Sequence, residues 1–404
     1  MDNTVFEGAQ QSIKGKKIGI FLGVGPGAGG SFQYNQSILS AAESLARDGA
    51  NIQIFYQESF WRPYIGSFDN SLICGRGLLS KLLFRLARKV KLNSEAMVRL
   101  APVFFPVLDR INRSDCDIMI FPGQDWVAGA CRKKFLVTIH DLMHRYETNF
   151  LEYAGDEIEF RDQHYQRLCN RAAGILVDSA LGKRHVEESY RCPADRIFVL
   201  PFVPPPGLTN AVNSTVDVRK EFGLPERFIF YPAQFWEHKN HINLLKAIAL
   251  LREAGTPVPL ILVGGRKANF PKVAREIEDG SLTDLVKILG YVDETTIIAL
   301  YREAEMLVYP SLLGPTNIPP LEAMSLGCPV VCSRVYAMEE QLGDAAVFFN
   351  PKDPHSIAMA IREVWDSEGK RTEMVTRGRR RVQSWGQKEF NAALRNIIVS
   401  ILGR

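Results

Sequence analysis

Twelve short apolar runs punctuate the chain, each four to six residues long. Six lie in the first half, at 17–22, 52–56, 117–121, 135–139, 174–177 and 196–200. Six lie in the second, at 228–232, 259–263, 286–289, 306–309, 329–332 and 346–349. Longer stretches with helix-like spacing separate them. Runs this short and this uniformly apolar, alternating with helices, read as parallel strands buried on both faces. Each half is therefore a βαβ array, and the expected fold class is α/β with two doubly wound parallel-sheet domains. Between the halves stands PFVPPPGLTN at 201–210. Proline cannot join a central ladder and pushes the residue before it out of the helical region. Residues 201–212 are the expected linker.

Open parallel sheets bind ligands beyond the carboxyl ends of their strands. Two such domains make the cleft between them the default site. Residues that follow strand ends then carry the most information. Five glycines occupy positions 23 to 30, namely Gly23, Gly25, Gly27, Gly29 and Gly30. Such a loop lets backbone N–H groups approach an anion or a sugar at a helix start. Gly25, Gly27 and Gly30 satisfy G-x-G-x-x-G, but the acid that a dinucleotide site needs, Glu58, stands three residues past Phe55. A plain strand-to-helix turn remains the alternative. His140 follows the run at 135–139. It reads as a cleft residue, as a buried structural histidine, or, with His144 four residues on, as half a metal site lacking a third ligand. Lys239 stands at the expected start of a helix after the run at 228–232. A cation there opposes the helix dipole unless an anion shares the spot; the alternative is an exposed lysine. His238 and His241 beside it read as structural. After the run at 306–309 the loop Gly314–Ile318 presents N–H groups to the cleft. Pro319 and Pro320 open the next helix, with Glu322 expected in its first turn, where dipole stabilisation alone is one explanation.

Composition narrows the classes. The chain has 404 residues, too many for one ordinary domain. Its 49 basic and 45 acidic side chains leave a net charge of +4, which excludes a general polyanion binder, and no nucleic-acid partner is expected. No apolar stretch is long enough to span a bilayer, and the N-terminus lacks the apolar core of a signal peptide, so a cytoplasmic location is expected. Seven scattered cysteines without a C-x-x-C pair read as reduced core thiols, and no metal site is expected.

These motifs occur together in one order: the glycine loop, TIHD at 138–141, Gln234 to Lys239, LVGG at 262–265, LGYV at 289–292, YPSL at 309–312, GPTNIPPLEAMSLGCPVV at 314–331 and DAAVFFNPKDP at 344–354. In that order the chain resembles the retaining glycosyltransferases of family 4, with the GT-B fold of two Rossmann-like domains facing across a cleft. GPTNIPPLEA most resembles the subgroup that makes polymannose-type O-antigens. The resemblance implies an acceptor-side domain at 1–204, a nucleotide-sugar-binding domain at 205–384 and a C-terminal helix at 385–404 that crosses back. It also implies site roles. Gly29 and Gly30 lie near the donor phosphate and acceptor, and His140 touches the donor sugar. Lys239 grips the diphosphate, with Gln234 standing where the family usually has an arginine. Backbone amides of Thr316, Asn317 and Ile318 hold sugar hydroxyls, Glu322 takes the ribose, and the segment with Tyr291 and Val292 faces the base. The family's other glutamate is replaced by Gly314.

The reading implied is a metal-independent, retaining hexosyltransferase without cofactor. Its substrates are a nucleotide sugar, most simply GDP-mannose, and a glycan or lipid-linked glycan acceptor of bacterial surface polysaccharide. A sugar-nucleotide epimerase and a non-catalytic sugar-nucleotide-binding subunit are the alternatives. The stretch 76–92 adds one further expectation. Leu79, Leu82, Leu83, Leu86 and Val90 recur at helical spacing, and Lys81, Arg85, Arg88, Lys89 and Lys91 supply five cations with no acid. The leucines are expected to pack on the sheet and the cations to meet anionic lipid weakly, as peripheral contact on the inner membrane face.

Overall fold

A computed structural model describes residues 13–75, 77–90, 92, 94–147, 150, 157–208 and 216–404, without the side chains of Arg88, Ser94 and Glu157. The chain forms two compact units. The first carries the N-terminal strands and includes Gln387–Arg404; the second comprises Phe202–Gly386.

The first unit is built on β1 (Lys17–Leu22), β2 (Asn51–Tyr56), β3 (Ser71–Ile73), β4 (Ile118–Phe121), β5 (Phe135–Thr138), β6 (Gly174–Val177) and β7 (Ile197–Val199). All are parallel, in the order β3-β2-β1-β4-β5-β6-β7. Every apolar run of that half is a strand. β3 had no such run because it is a three-residue edge strand without a fully buried position. The helix Gln387–Leu402 packs on the helix Gly30–Arg47. Gln387 Nε2 donates to the Ser37 carbonyl at 2.9 Å. Ile401 lies so close to Gly174 that a Cβ there would sit 2.6 Å from its Cδ1. Glycine at the first residue of β6 is thus what admits the C-terminal helix.

The second unit is built on β8 (Ile229–Pro232), β9 (Leu260–Val263), β10 (Val286–Gly290), β11 (Met306–Tyr309), β12 (Val330–Ser333) and β13 (Ala346–Phe349). The order is β10-β9-β8-β11-β12-β13, again all parallel. The strand order reverses between β1 and β4 in the first unit and between β8 and β11 in the second. Those are the points where doubly wound sheets open a crevice. Gly264, just past β9, has φ +152° and lies so close to the loop after β8 that a Cβ would be 2.2 Å from the Ala233 carbonyl oxygen.

Two expectations change here. Within the expected linker, Val203 and Leu208 are buried, while 209–212 lie outside the described residues. Among its described side chains the helix Leu78–Lys89 turns Ser80, Leu83, Phe84 and Ala87 inward, with Phe84 against Phe104 and Phe105 at 5.7 and 5.2 Å. Leu79, Leu82, Leu86 and Val90 are exposed rather than packed on the sheet, because they occupy a different arc of the helix. Arg76 and Lys91 lie outside the described residues. Among the described residues no helix is long and apolar enough to cross a membrane.

Candidate functional site

In the second unit the chain leaves β8 through Ala233–Trp236 and makes one 3-10 turn, Glu237–Lys239. The helix His241–Glu253 starts after Asn240, which has a left-handed φ of 59°. Asparagine tolerates that conformation, and its Nδ2 donates to the Pro310 and Pro351 carbonyls at 3.0 and 2.8 Å. Lys239 therefore closes the 3-10 turn instead of opening the helix. His241 is fully buried, stacked on Phe235 at 4.5 Å.

Lys239 Nζ donates to Tyr309 Oη at 3.1 Å, and Tyr309 Oη donates to Asn317 Oδ1 at 2.9 Å. Tyr309 ends β11, so this row joins the carboxyl ends of the two strands that flank the switch point. Burial pushes the Tyr309 hydroxyl well above its ordinary range, which keeps it a neutral donor. Gln341 fixes the far end of the row. Its Oε1 accepts from the Asn317 amide and its Nε2 donates to the Asn317 carbonyl, both at 2.9 Å. The Asn317 N–H is thus engaged within the protein, which corrects its expected role as a sugar-binding amide. Thr316 and the Ile318 side chain are buried. Pro319 and Pro320 carry no N–H to offer.

Glu322 is the fifth residue of the helix Ile318–Leu326, beyond its first turn, so dipole stabilisation does not explain it. It is 5% exposed, and its Oε2 accepts from Tyr301 Oη at 2.9 Å. Gly314, where the family pattern has a glutamate, has φ +105°, and a Cβ would lie 3.1 Å from the Asn317 side-chain amide. The local backbone is one that a side chain at 314 would strain. Gln234 Oε1 accepts from Trp236 Nε1 at 2.9 Å. Tyr291 is exposed, and Val292 packs on the core.

In the first unit Gly29 has φ +56° and precedes the helix Gly30–Arg47, with no atom within 4 Å of where its Cβ would be. The glycine loop rests on aromatic rings: Trp61 Nε1 donates to the Val24 carbonyl at 2.9 Å, and Phe32 lies 4.8 Å from Trp61. His140 follows β5, with Tyr34 edge-on at 5.1 Å, and burial pushes its ring down to about 4. It is a neutral imidazole at physiological pH. Asp125, in the loop after β4, has its carboxyl pushed up to about 7 by burial. A Cβ on Gly123 would lie 3.8 Å from both Asp125 Oδ2 and His140 Nε2. His140 lies ahead of the short helix Met143–Tyr146 that carries His144, so no helix turn brings the two rings onto one face. His144 Nε2 instead pairs with Asp162 Oδ1 at 3.0 Å. Among the described residues no group of three or more His, Cys, Asp or Glu is placed to hold a metal.

Residues 215–381 match the model of the family described as Glycosyl transferases group 1. O-antigen chain mannosyltransferase B of Escherichia coli is 28% identical over 340 residues, covering 83% of this chain and 87% of its own. The family match at 215–381 lies within the second unit, and the chain as a whole has the fold of solved GT-B glycosyltransferase structures. Anabaena Alr3699/HepE, in complex with UDP and glucose, aligns with TM-score 0.73 at 15% identity over 95% of this chain and 100% of its own. Sucrose-phosphate synthase of Thermosynechococcus elongatus aligns with TM-score 0.73 at 18% identity over 96% and 99%.

For this glycosyltransferase the row Lys239, Tyr309, Asn317 offers a cation and neutral donors at strand ends, an arrangement that attracts an anion. Three positions escaped the sequence reading. Asp125 follows the run at 117–121, so the weight given to strand ends had the means to find it. Tyr301 and Gln341 carried no local signal, since they meet Glu322 and Asn317 only through the fold, 21 and 24 residues away.

Proposed function

We propose that this glycosyltransferase moves mannose from GDP-mannose onto a glycan or lipid-linked glycan acceptor in the synthesis of bacterial surface polysaccharide, on the cytoplasmic side, with retention and without metal. The observation that carries the reading is the hydrogen-bonded row from Lys239 through Tyr309 to Asn317 at the switch point of the family-matched unit. The printed activity of the Escherichia coli relative supports mannose, and the UDP and glucose of the Anabaena structure support a nucleotide sugar as the ligand class.

The bond from the anomeric carbon to the diphosphate breaks, and a bond from an acceptor hydroxyl oxygen forms on the same face. The acceptor proton goes to the departing diphosphate. Charge builds on that leaving group, so a fixed cation beside it lowers the barrier. In this reading Lys239 stabilises the diphosphate and Gln234 lines its approach. Neutral His140 meets the sugar, and the amides of Thr316 and Ile318 hold its hydroxyls. Gly29 and Gly30 let the backbone approach the phosphate. Glu322, steadied by Tyr301, takes the ribose, while Tyr291 and Val292 stand toward the base.

The test is transfer from GDP-mannose, UDP-glucose and UDP-N-acetylglucosamine to mannose-terminated acceptors, with the product anomer read by NMR and the assay repeated under EDTA. The expected result is α-mannoside from GDP-mannose alone, unaffected by EDTA. Donor hydrolysis or epimerisation without acceptor-dependent transfer, an inverted anomer, or loss of activity on chelation overturns it.

A further inference from the structure

We propose that Lys267, on the loop after β9, is a second cation for the donor's diphosphate, held on the Lys239 turn by the packing of two strand-end loops. Lys267 thereby joins the nucleotide-sugar site proposed above, on which its role rests. The chain leaves β9 through Gly264–Asn269 and is clamped to the loop after β8. Gly264 passes so close to that loop that a Cβ would lie 2.2 Å from the Ala233 carbonyl oxygen and 2.9 Å from the Gln234 nitrogen. The Phe235 amide donates to the Gly265 carbonyl at 3.2 Å, and the Asn269 amide donates to the Phe235 carbonyl at 3.1 Å. Phe270 then meets Phe235 edge-on at 5.1 Å. Between these anchors Lys267 is half-buried, with its Nζ 5.4 Å from the centre of the Trp236 ring. The Nε1 of that ring donates to Gln234 Oε1 at 2.9 Å, and the Trp236 carbonyl accepts from the Lys239 amide at 3.2 Å. Trp236 therefore ties Lys267 to the turn that carries Lys239.

Placement and charge select the ligand. Parallel sheets bind ligands beyond the carboxyl ends of their strands, and both lysines follow such ends, on the neighbouring strands β8 and β9. Gln234 and Trp236 bring no charge, and the acid of the turn, Glu237, faces Lys272 at 3.7 Å. Among the described residues no carboxylate pairs with Lys267. The Trp236 ring fixes where the ammonium sits but does not neutralise it. A partly desolvated cation is costly without a counter-ion, so an anion at this spot stabilises it. Two fixed cations then share the charge that develops on the diphosphate as the glycosyl–phosphate bond breaks. Arg266, one residue earlier, is exposed, and its guanidinium lies over Phe270 at 4.4 Å. It is a cation of the same loop held on a different ring, and it serves as the control.

The experiment is calorimetric titration of the full chain with GDP and with UDP, at low and high salt, in wild type, Lys267→Met, Lys267→Arg and Arg266→Met. Lys267→Met should bind the diphosphate roughly tenfold to a hundredfold more weakly, the range of one charge-assisted hydrogen bond. Its affinity should also fall less steeply with salt than that of wild type, because one ion contact is gone. Lys267→Arg should recover most of the affinity and the salt dependence, which a loss of loop packing would not allow. Arg266→Met should match wild type. Unchanged affinity in Lys267→Met, a loss with unaltered salt dependence, or an equal loss in Arg266→Met overturns the proposal; the last would assign the effect to the general field of the loop. Binding of UDP rather than GDP corrects the base of the proposed function and leaves the comparison of variants intact. Binding of neither by wild type overturns both readings.

Discussion

Gln341→Ala tests whether the row at the switch point is held from behind. Gln341 makes two hydrogen bonds to the Asn317 backbone, each at 2.9 Å. A net hydrogen bond contributes about 0.5–1.5 kcal/mol, so losing both should cost about 2 kcal/mol. The body of the second unit is Phe202–Gly386. For a unit of that size 1 kcal/mol corresponds to about 2–4 °C, so its melting temperature should fall by about 4–8 °C. The kinetic effect separates a positioning role from a merely structural one. Asn317 accepts from Tyr309, which accepts from Lys239, so freeing Asn317 should loosen the cation and lower kcat at temperatures where the variant is fully folded. Gln341→Glu keeps the acceptor for the Asn317 amide but turns an oxygen against its carbonyl, and should fall between wild type and Gln341→Ala in both measurements. A Gln341→Ala protein with unchanged melting temperature refutes the clamp. One that melts early but turns over normally when folded refutes its link to Lys239.

Lys239→Ala should lower kcat by roughly 10²–10³ with the fold intact, the scale for one charge acting on a transition state, and near-normal turnover would remove Lys239 from the leaving-group role. Gly314→Ala must adopt φ +105° with its Cβ 3.1 Å from the Asn317 amide, and should lose about 1–3 kcal/mol in urea denaturation; an unchanged midpoint contradicts the strain argument. Burial pushes the His164 and His241 rings down to about 4 and about 3, so below about pH 6.5 the unfolded chain binds protons that the native protein does not. Their contribution to stability is complete above about pH 6.5 and falls as the pH drops toward those values, by up to about 1.4 kcal/mol per pH unit for each ring. Melting curves across that window should show the decline and His241→Phe should lessen it, whereas a flat profile in wild type refutes it.

The alternation of apolar runs with helices determined the fold class and twelve of the thirteen strands, because a strand covered by helices on both faces must be apolar at every position. β3 was invisible for the same reason, being an edge that is not buried. Strand ends also located His140, Lys239 and the loop at 314–318, since parallel sheets expose their chemistry there. What the sequence could not fix was which side chains meet. Lys239 and Tyr309 are 70 positions apart, and Gln341 reaches back to Asn317 from another helix. Helical spacing showed that the helix at 78–89 is amphipathic, but not how much of its apolar arc the core would take. Periodicity records which residues share a face; only the packed neighbours decide whether that face is covered.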